Sequence, residues 1–195
     1  MAPLGMDSMA KKAVFNESFK YILCKVNDIL DHVSQNDFDA IKDLFFSSNH
    51  IFVYGAGRSG LVVKAFAIRL VHLGFQAFVI GETITVPVQK GDLVVIVSGS
   101  GETIPAVMTA EIAHNLGASV ISITGKKKSG IAKYADVTLF ISASCRDSER
   151  KRYAPLGTLF EASVWILLDG IVADLLDSKQ ETEETMRKRH ATLEQ

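Results

Sequence analysis

"IFVYGAGRSG", residues 51–60, is a short apolar run that ends in glycines and passes directly into a helical pattern. Its β-branched and aromatic residues do not alternate with polar ones, which describes a strand covered on both faces. Gly55, Gly57 and Gly60 take the spacing G-x-G-x-x-G, that of a dinucleotide-binding turn between strand and helix. The stretch thus poses two questions, one of fold and one of ligand.

The same grammar recurs downstream. "AFVI" (77–80), "LVVIV" (93–97), "SVISI" (119–123) and "VTLFI" (137–141) read as further buried strands. Helical patterns lie between them at about 59–73, 102–116 and 129–134. This alternation predicts an α/β fold: a doubly wound parallel sheet of about five strands, flanked by helices. Ahead of it, residues 13–46 carry helical periodicity, with Val14, Phe15, Ile22, Val26, Ile29, Leu30 and Val33 on one stripe. "SQNDFDA" (34–40) interrupts, and Asn36 or Asp37 is the expected cap of a second helix through Phe46. "SASCRDSERKRYAP" (142–155) reads as a polar loop leading into a long helix from about Thr158. The charged tail, 177–195, reads as helical with little apolar face, so it packs on something or frays.

At 195 residues, 48% hydrophobic and 22% charged, the composition is that of a globular chain with a sizeable core. "MAPLGMDSMAKK" has no apolar signal core, and its three methionines suggest an alternative start or an added remnant. Residues 1–12 are therefore expected to be disordered, leaving 13–195 as a single domain. A net charge of −1 gives no electrostatic case for nucleic acid or an anionic membrane. The basic run Lys126–Lys128 is either a solvated edge or a phosphate attractor. Cys24 and Cys145 are far apart and form no metal or redox spacing, consistent with reduced thiols in the cytoplasm. The long apolar stretch at 154–176 contains Glu161, Asp169 and Asp174, so it reads as a buried helix rather than a membrane span.

Ligands bind at the carboxyl ends of strands in a doubly wound sheet. Two loops sit there: "GAGRSG" (55–60) and "SGSGET" (98–103). In the second, Ser98, Gly99, Ser100, Gly101 and Thr103 combine small residues, N–H groups, three hydroxyls and a helix start. That set suits a monophosphate; the alternative is a Ser/Gly turn ending in an N-cap. No G-x-x-x-x-G-K-[ST] is present, so a P-loop is excluded. A dinucleotide in the first loop needs an acidic residue about twenty positions on. Glu82 meets that spacing, but the motif follows some fifty residues of helix, no substrate domain follows, and the hydroxyl-rich loop would have no role.

Together, "VYGAGRSG" (53–60), "SGSGET" (98–103) and "ITGKKKSGIAKYADV" (123–137) resemble the sugar isomerase (SIS) family of phosphosugar-binding domains. Within it, "GAGRSGLVVKAFAIRLVHLGF" (55–75), "VIGETITVP" (79–87), "APLGTLFE" (154–161) and "RHATLE" (189–194) are most similar to the 6-phospho-3-hexuloisomerases. The likeness covers about residues 13–195. It implies an αβα sandwich that interconverts D-arabino-hex-3-ulose 6-phosphate and fructose 6-phosphate in the ribulose monophosphate pathway. It implies a homo-oligomer, commonly a tetramer, with sites completed across interfaces and no metal or organic cofactor. Rivals on the same fold are another sugar-phosphate isomerase, of the arabinose 5-phosphate type, and a non-catalytic phosphosugar sensor.

Moving a ketone from C3 to C2 through a cis-enediol needs a base at C2 and a donor for the enediolate oxygen. Glu161 is the expected base; the alternative is a capping box, Thr158-x-x-Glu161. His190, alone a solvated residue, becomes through the resemblance a proton shuttle at a neighbouring subunit's site. Gly57, Arg58 and Ser59 are expected to wall the sugar, with a local salt bridge for Arg58 and a helix cap for Ser59 as alternatives. Glu82 and Thr83 are expected at the sugar end. His32, His50, His72 and His114 read as structural.

Overall fold

The computed structural model describes residues 4–141 and 145–191, with side chains from residue 14 onward. Two helices, α1 (Leu4–Leu30) and α2 (Gln35–Ser47), precede the first strand, β1 (Ile51–Gly55). There follow α3 (Arg58–His72), β2 (Ala77–Val79), β3 (Leu93–Ser98), α4 (Ile104–Asn115) and β4 (Ser119–Thr124). A 3₁₀ turn at Ala132–Tyr134 leads to β5 (Val137–Phe140), then α5 (Asp147–Tyr153), α6 (Thr158–Ser178) and α7 (Glu183–Lys188).

The strands form one sheet in the order β2-β1-β3-β4-β5, every pairing parallel. This is the expected doubly wound α/β fold. Continuous apolar strands demand cover on both faces, and alternate residues supply it. Phe52, Val94, Ile96 and Val120 pack against Ala106, Ala110 and Ala113 of α4, whose small side chains let the helix lie close. Val53, Val95, Ile121 and Ile123 face the other way, against Phe66 and Leu70 of α3 and Leu167 and Leu168 of α6. Ile29 of α1 and Ile41 and Phe45 of α2 complete that layer.

Four expectations change. The helix α1 begins at Leu4, within the segment expected to be disordered; residues 1–3 lie outside the described residues. Met, Ala and Lys are good helix formers even without an apolar stripe, and the periodicity alone did not register them. Ser34, not Asn36 or Asp37, occupies the N-cap of α2, without a side-chain cap bond. The polar segment expected as a loop contains α5; residues 142–144 of it lie outside the described residues. This helix has no apolar stripe of its own; Asp147 pairs with Arg150 at 2.7 Å and with Lys151 at 2.6 Å, and at its end Tyr153 packs on Tyr21 of α1 with ring centroids 5.6 Å apart. Acidic residues in its first turn and basic ones in its last also suit the helix dipole. The pattern at 129–134 shortens to the three-residue 3₁₀ turn.

The tail packs. Thr182 and Thr185 form a capping box at the head of α7. Beyond it, Arg189 bonds Glu181 at 2.8 Å and donates to the His72 carbonyl at 3.0 Å. The Arg189 bond, with one from Thr185, holds the Glu181 carboxyl down to about 2. No described helix is long and apolar enough to cross a membrane.

Candidate active site

In this strand order, β1 sends its chain out to β2 while its other neighbour, β3, sends its chain the opposite way, to β4. The two departing loops part above that boundary and leave a crevice, the usual ligand position in such sheets. The loops are "GAGRSG" and "SGSGET".

The glycines of the first loop are there for close packing. A Cβ on Gly55 would stand 2.7 Å from the Ser59 backbone, and one on Gly60 2.7 Å from the Gly55 carbonyl oxygen. The helix α3 therefore starts in contact with the end of its own strand. Gly57 makes the turn with φ 58°, in the left-handed region. It occupies the N-cap of α3, so Ser59 is not the cap; its buried side chain lines the crevice instead.

The second loop is bonded within itself. The Ser98 hydroxyl accepts from the Gly101 N–H at 3.2 Å and lies 3.2 Å from the Thr103 hydroxyl. Ser100 lies 3.4 Å from Thr103 and accepts from the Glu102 N–H at 3.2 Å. Thr103 holds the N-cap position of α4 without bonding back to it, which leaves the helix's free N–H groups open at this end. Gly99 and Ser100 border the crevice directly.

The crevice is a cavity of about 430 Å³, large enough for a hexose phosphate, between these loops and the start of α6. Glu161 lines it. The capping-box alternative fails: Gly157 holds the N-cap, no side chain caps the helix, and Thr158 donates to the Pro155 carbonyl at 2.6 Å. The Glu161 carboxylate, 13% exposed, instead accepts from the guanidinium of Arg58, which is itself exposed and does not line the cavity. Arg58 therefore makes the local salt bridge weighed as its alternative, and makes it to the expected base.

Gly157 gives that carboxylate its place. A Cβ there would lie 2.9 Å from Glu161 Oε1, while the backbone, at φ −84°, accepts any residue. Gly157→Ala is expected to leave the fold intact, push the carboxylate aside, and lower kcat by about 10- to 100-fold, since small misplacements of a base are costly. Steady-state kinetics beside a melting curve check it; unchanged kcat refutes it.

Other expected residues lie elsewhere. Glu82 pairs with Lys64 at 2.6 Å on the surface, and neither it nor the exposed Thr83 lines the cavity. The strand β2 ends at Val79, and the residues beyond it, Gly81 to Ile84, are exposed. His190 stacks on His72, with ring centroids 4.9 Å apart. His72 ends α3, whereas Arg58 begins it; 15 residues at the usual helical rise separate the two by roughly 21 Å. Glu161 and His190 thus do not share a cavity within one chain. Sequence reasoning missed Arg150, which lines the cavity from α5. Among Arg146, Arg150, Lys151 and Arg152 nothing in the sequence marks one as inward-facing. The remaining walls are apolar, with Ile29, Ile141 and Phe160 among them. Among the described residues, no three of His, Cys, Asp and Glu converge to hold a metal ion.

Residues 44–161, which run from the end of α2 through both loops to Glu161, match the SIS domain family. The chain belongs to the SIS domain family. This SIS domain is 39% identical to the 3-hexulose-6-phosphate isomerase of Bacillus subtilis over 176 residues, 89% of this chain and 95% of the relative. It is 36% identical to the 3-hexulose-6-phosphate isomerase of Methylomonas aminofaciens, covering 92% of this chain and 99% of that one. Its fold overlays a crystal structure from Methanococcus jannaschii with a TM-score of 0.79, at 30% identity, covering 91% of this chain and 97% of that one. That structure is described as inferring a 3-hexulose-6-phosphate isomerase function.

Proposed function

We propose that the protein is a 3-hexulose-6-phosphate isomerase, interconverting D-arabino-hex-3-ulose 6-phosphate and fructose 6-phosphate. The observation that carries this is the Glu161 carboxylate, held inside a sugar-sized cavity beside a hydroxyl- and N–H-rich loop at a helix start. The similarity to the two named isomerases over nearly their whole length supports it.

The phosphate sits at "SGSGET", taking hydrogen bonds from the hydroxyls of Ser98, Ser100 and Thr103, from the Gly99 N–H and from the N-terminus of α4, while Gly101, whose own N–H closes the loop on Ser98, shapes the turn around it. Its binding fixes C2 and C3 relative to Glu161. Glu161 removes the C2 proton, the electrons move onto the C3 oxygen to give a cis-enediolate, the C2 hydroxyl proton passes to the C3 oxygen, and the proton held by Glu161 is returned at C3 as the C2 carbonyl forms. Arg58 turns from the carboxylate toward the developing oxyanion, with Gly57 and Ser59 walling the sugar. A phosphosugar sensor would need no carboxylate turned into the cavity.

The same reading makes the protein a cytoplasmic enzyme of the ribulose monophosphate pathway that binds neither nucleic acid nor membrane. It forms a homo-oligomer, taken as a tetramer, in which His190 serves a neighbour's site. Supporting assembly are apolar residues left on the surface, Leu61 and Ile68 on α3 and Trp165 and Ile166 on α6. His190→Ala is expected to lower kcat more than tenfold, and dilution to monomers to do the same; full activity in either removes His190 from the reaction.

The proposal is tested by supplying the purified protein with the 3-hexulose phosphate and coupling fructose 6-phosphate formation to a reporter. Tight binding without turnover would leave a sensor. Turnover of arabinose 5-phosphate in its place would move the protein to the rival isomerase class.

A further inference from the structure

The charge of the cavity falls short of its ligand unless one more cation is counted. A phosphate monoester brings close to two negative charges, and "SGSGET" meets them with neutral donors only. Arg58 and Glu161 cancel each other. None of Lys126, Lys127 and Lys128 lines the cavity; Lys127 lies over the Phe140 ring, 5.2 Å from its centroid. The basic run is thus a solvated edge as far as this site is concerned.

Arg150 does line it. Its guanidinium is aimed from two sides: Nη2 donates to Asp147 Oδ1 at 2.7 Å, and Nη1 donates to the Leu156 carbonyl at 3.2 Å. Two bonds leave three of the five N–H groups free to donate. The Arg150 side chain is 28% exposed and Asp147 62%, so water screens the partner's charge more than the arginine's.

Leu156 supplies an independent sign of purpose. Its φ is 57°, a region leucine adopts only when its surroundings enforce it. Burial does not enforce it, because the side chain is 90% exposed at the cavity rim. What the conformation does achieve is a carbonyl turned to Arg150, one residue before the Gly157 that makes room for Glu161. The short rim Pro155-Leu156-Gly157 therefore positions the cation and the base together.

We propose that Arg150 is the anion-binding cation of the cavity, contacting the phosphate of the bound sugar phosphate and setting its preference for phosphorylated over free sugars. This rests on the isomerase reading for the identity of the sugar, not for the anion.

The test measures inorganic phosphate binding by calorimetry, and inhibition of turnover by inorganic phosphate, in the wild type, Arg150→Met and Asp147→Asn. With Arg150→Met, phosphate affinity is expected to fall at least about tenfold, with KM rising in parallel and kcat falling by a smaller factor, because the grip on the phosphate also places C2 and C3. Asp147→Asn keeps an oxygen that accepts from Nη2, and so keeps the guanidinium aimed, while removing the competing negative charge; phosphate affinity is expected to stay equal or become tighter. Unchanged phosphate binding in Arg150→Met overturns the proposal. So does equal weakening in Asp147→Asn, which would report the integrity of α5 rather than the charge. If the wild type binds phosphate through Arg150 but never turns over the hexulose phosphate, the isomerase falls and the cation stands. Turnover with phosphate binding indifferent to Arg150 is the reverse result.

Discussion

Glu161→Gln is expected to lower kcat for the hexulose phosphate by about 10²- to 10⁴-fold, the usual contribution of a general base. That corresponds to about 3–5 kcal/mol of lost transition-state stabilisation. The amide matches the carboxylate in shape and still accepts a hydrogen bond from Arg58, so the cavity should keep its form. Substrate affinity should therefore change far less than kcat, because the proposed mechanism uses the carboxylate for the proton rather than for binding. Stopped-flow turnover together with calorimetric binding separates the two quantities. Full turnover in Glu161→Gln would remove this residue as the base while leaving the proposed phosphate loop and the fold untouched.

Gly60→Ala is expected to damage both fold and site. Its new Cβ would lie 2.7 Å from the Gly55 carbonyl oxygen, a backbone atom that cannot swing aside as a side chain would. Either α3 lifts from β1 or the turn carrying Arg58 and Ser59 distorts. Overpacking of this kind costs about 1–3 kcal/mol, which lowers Tm by about 2–10 °C in a domain of this size. Activity should fall as well, because the displaced turn carries Arg58, the partner of Glu161. Gly170 serves as the control. It lies inside α6, and a Cβ added there would meet nothing within 4 Å, so Gly170→Ala should be neutral or stabilise by up to about 1 kcal/mol. Equal melting temperatures for Gly60→Ala and wild type would show that the close approach is not required.

Much of the scaffold was legible because apolar strands of a parallel sheet have few ways to be covered. The five apolar runs each became a strand to within a residue or so, and the two glycine loops fell at strand ends as their composition required. Where periodicity was absent, legibility failed. The helix α5 has no apolar stripe; its charges three and four residues apart read equally well as a polar loop, and its contact with α1 through Tyr153 and Tyr21 is a tertiary one. The Thr158–Glu161 spacing fitted a capping box by every local rule, yet the cap position fell one residue earlier, on Gly157. A one-residue shift at a helix start converts a structural glutamate into one facing a cavity.

The sequence by itself determined the doubly wound architecture, the places of the two glycine loops at strand ends, and Glu161 as the residue to watch. Each depends on local pattern: buried strands, small residues at strand ends, a carboxylate opening an apolar helix. Only the tertiary structure decided who meets whom. It paired Arg58 with Glu161 across 103 positions of chain, brought Arg150 into the same cavity, left Glu82 outside it, and set His190 on His72 at the far end of α3. Those outcomes follow from how α3 and α6 pack on one face of the sheet, with α5 against α1, and from the crossing of the chain at β1. No spacing within a single segment encodes them.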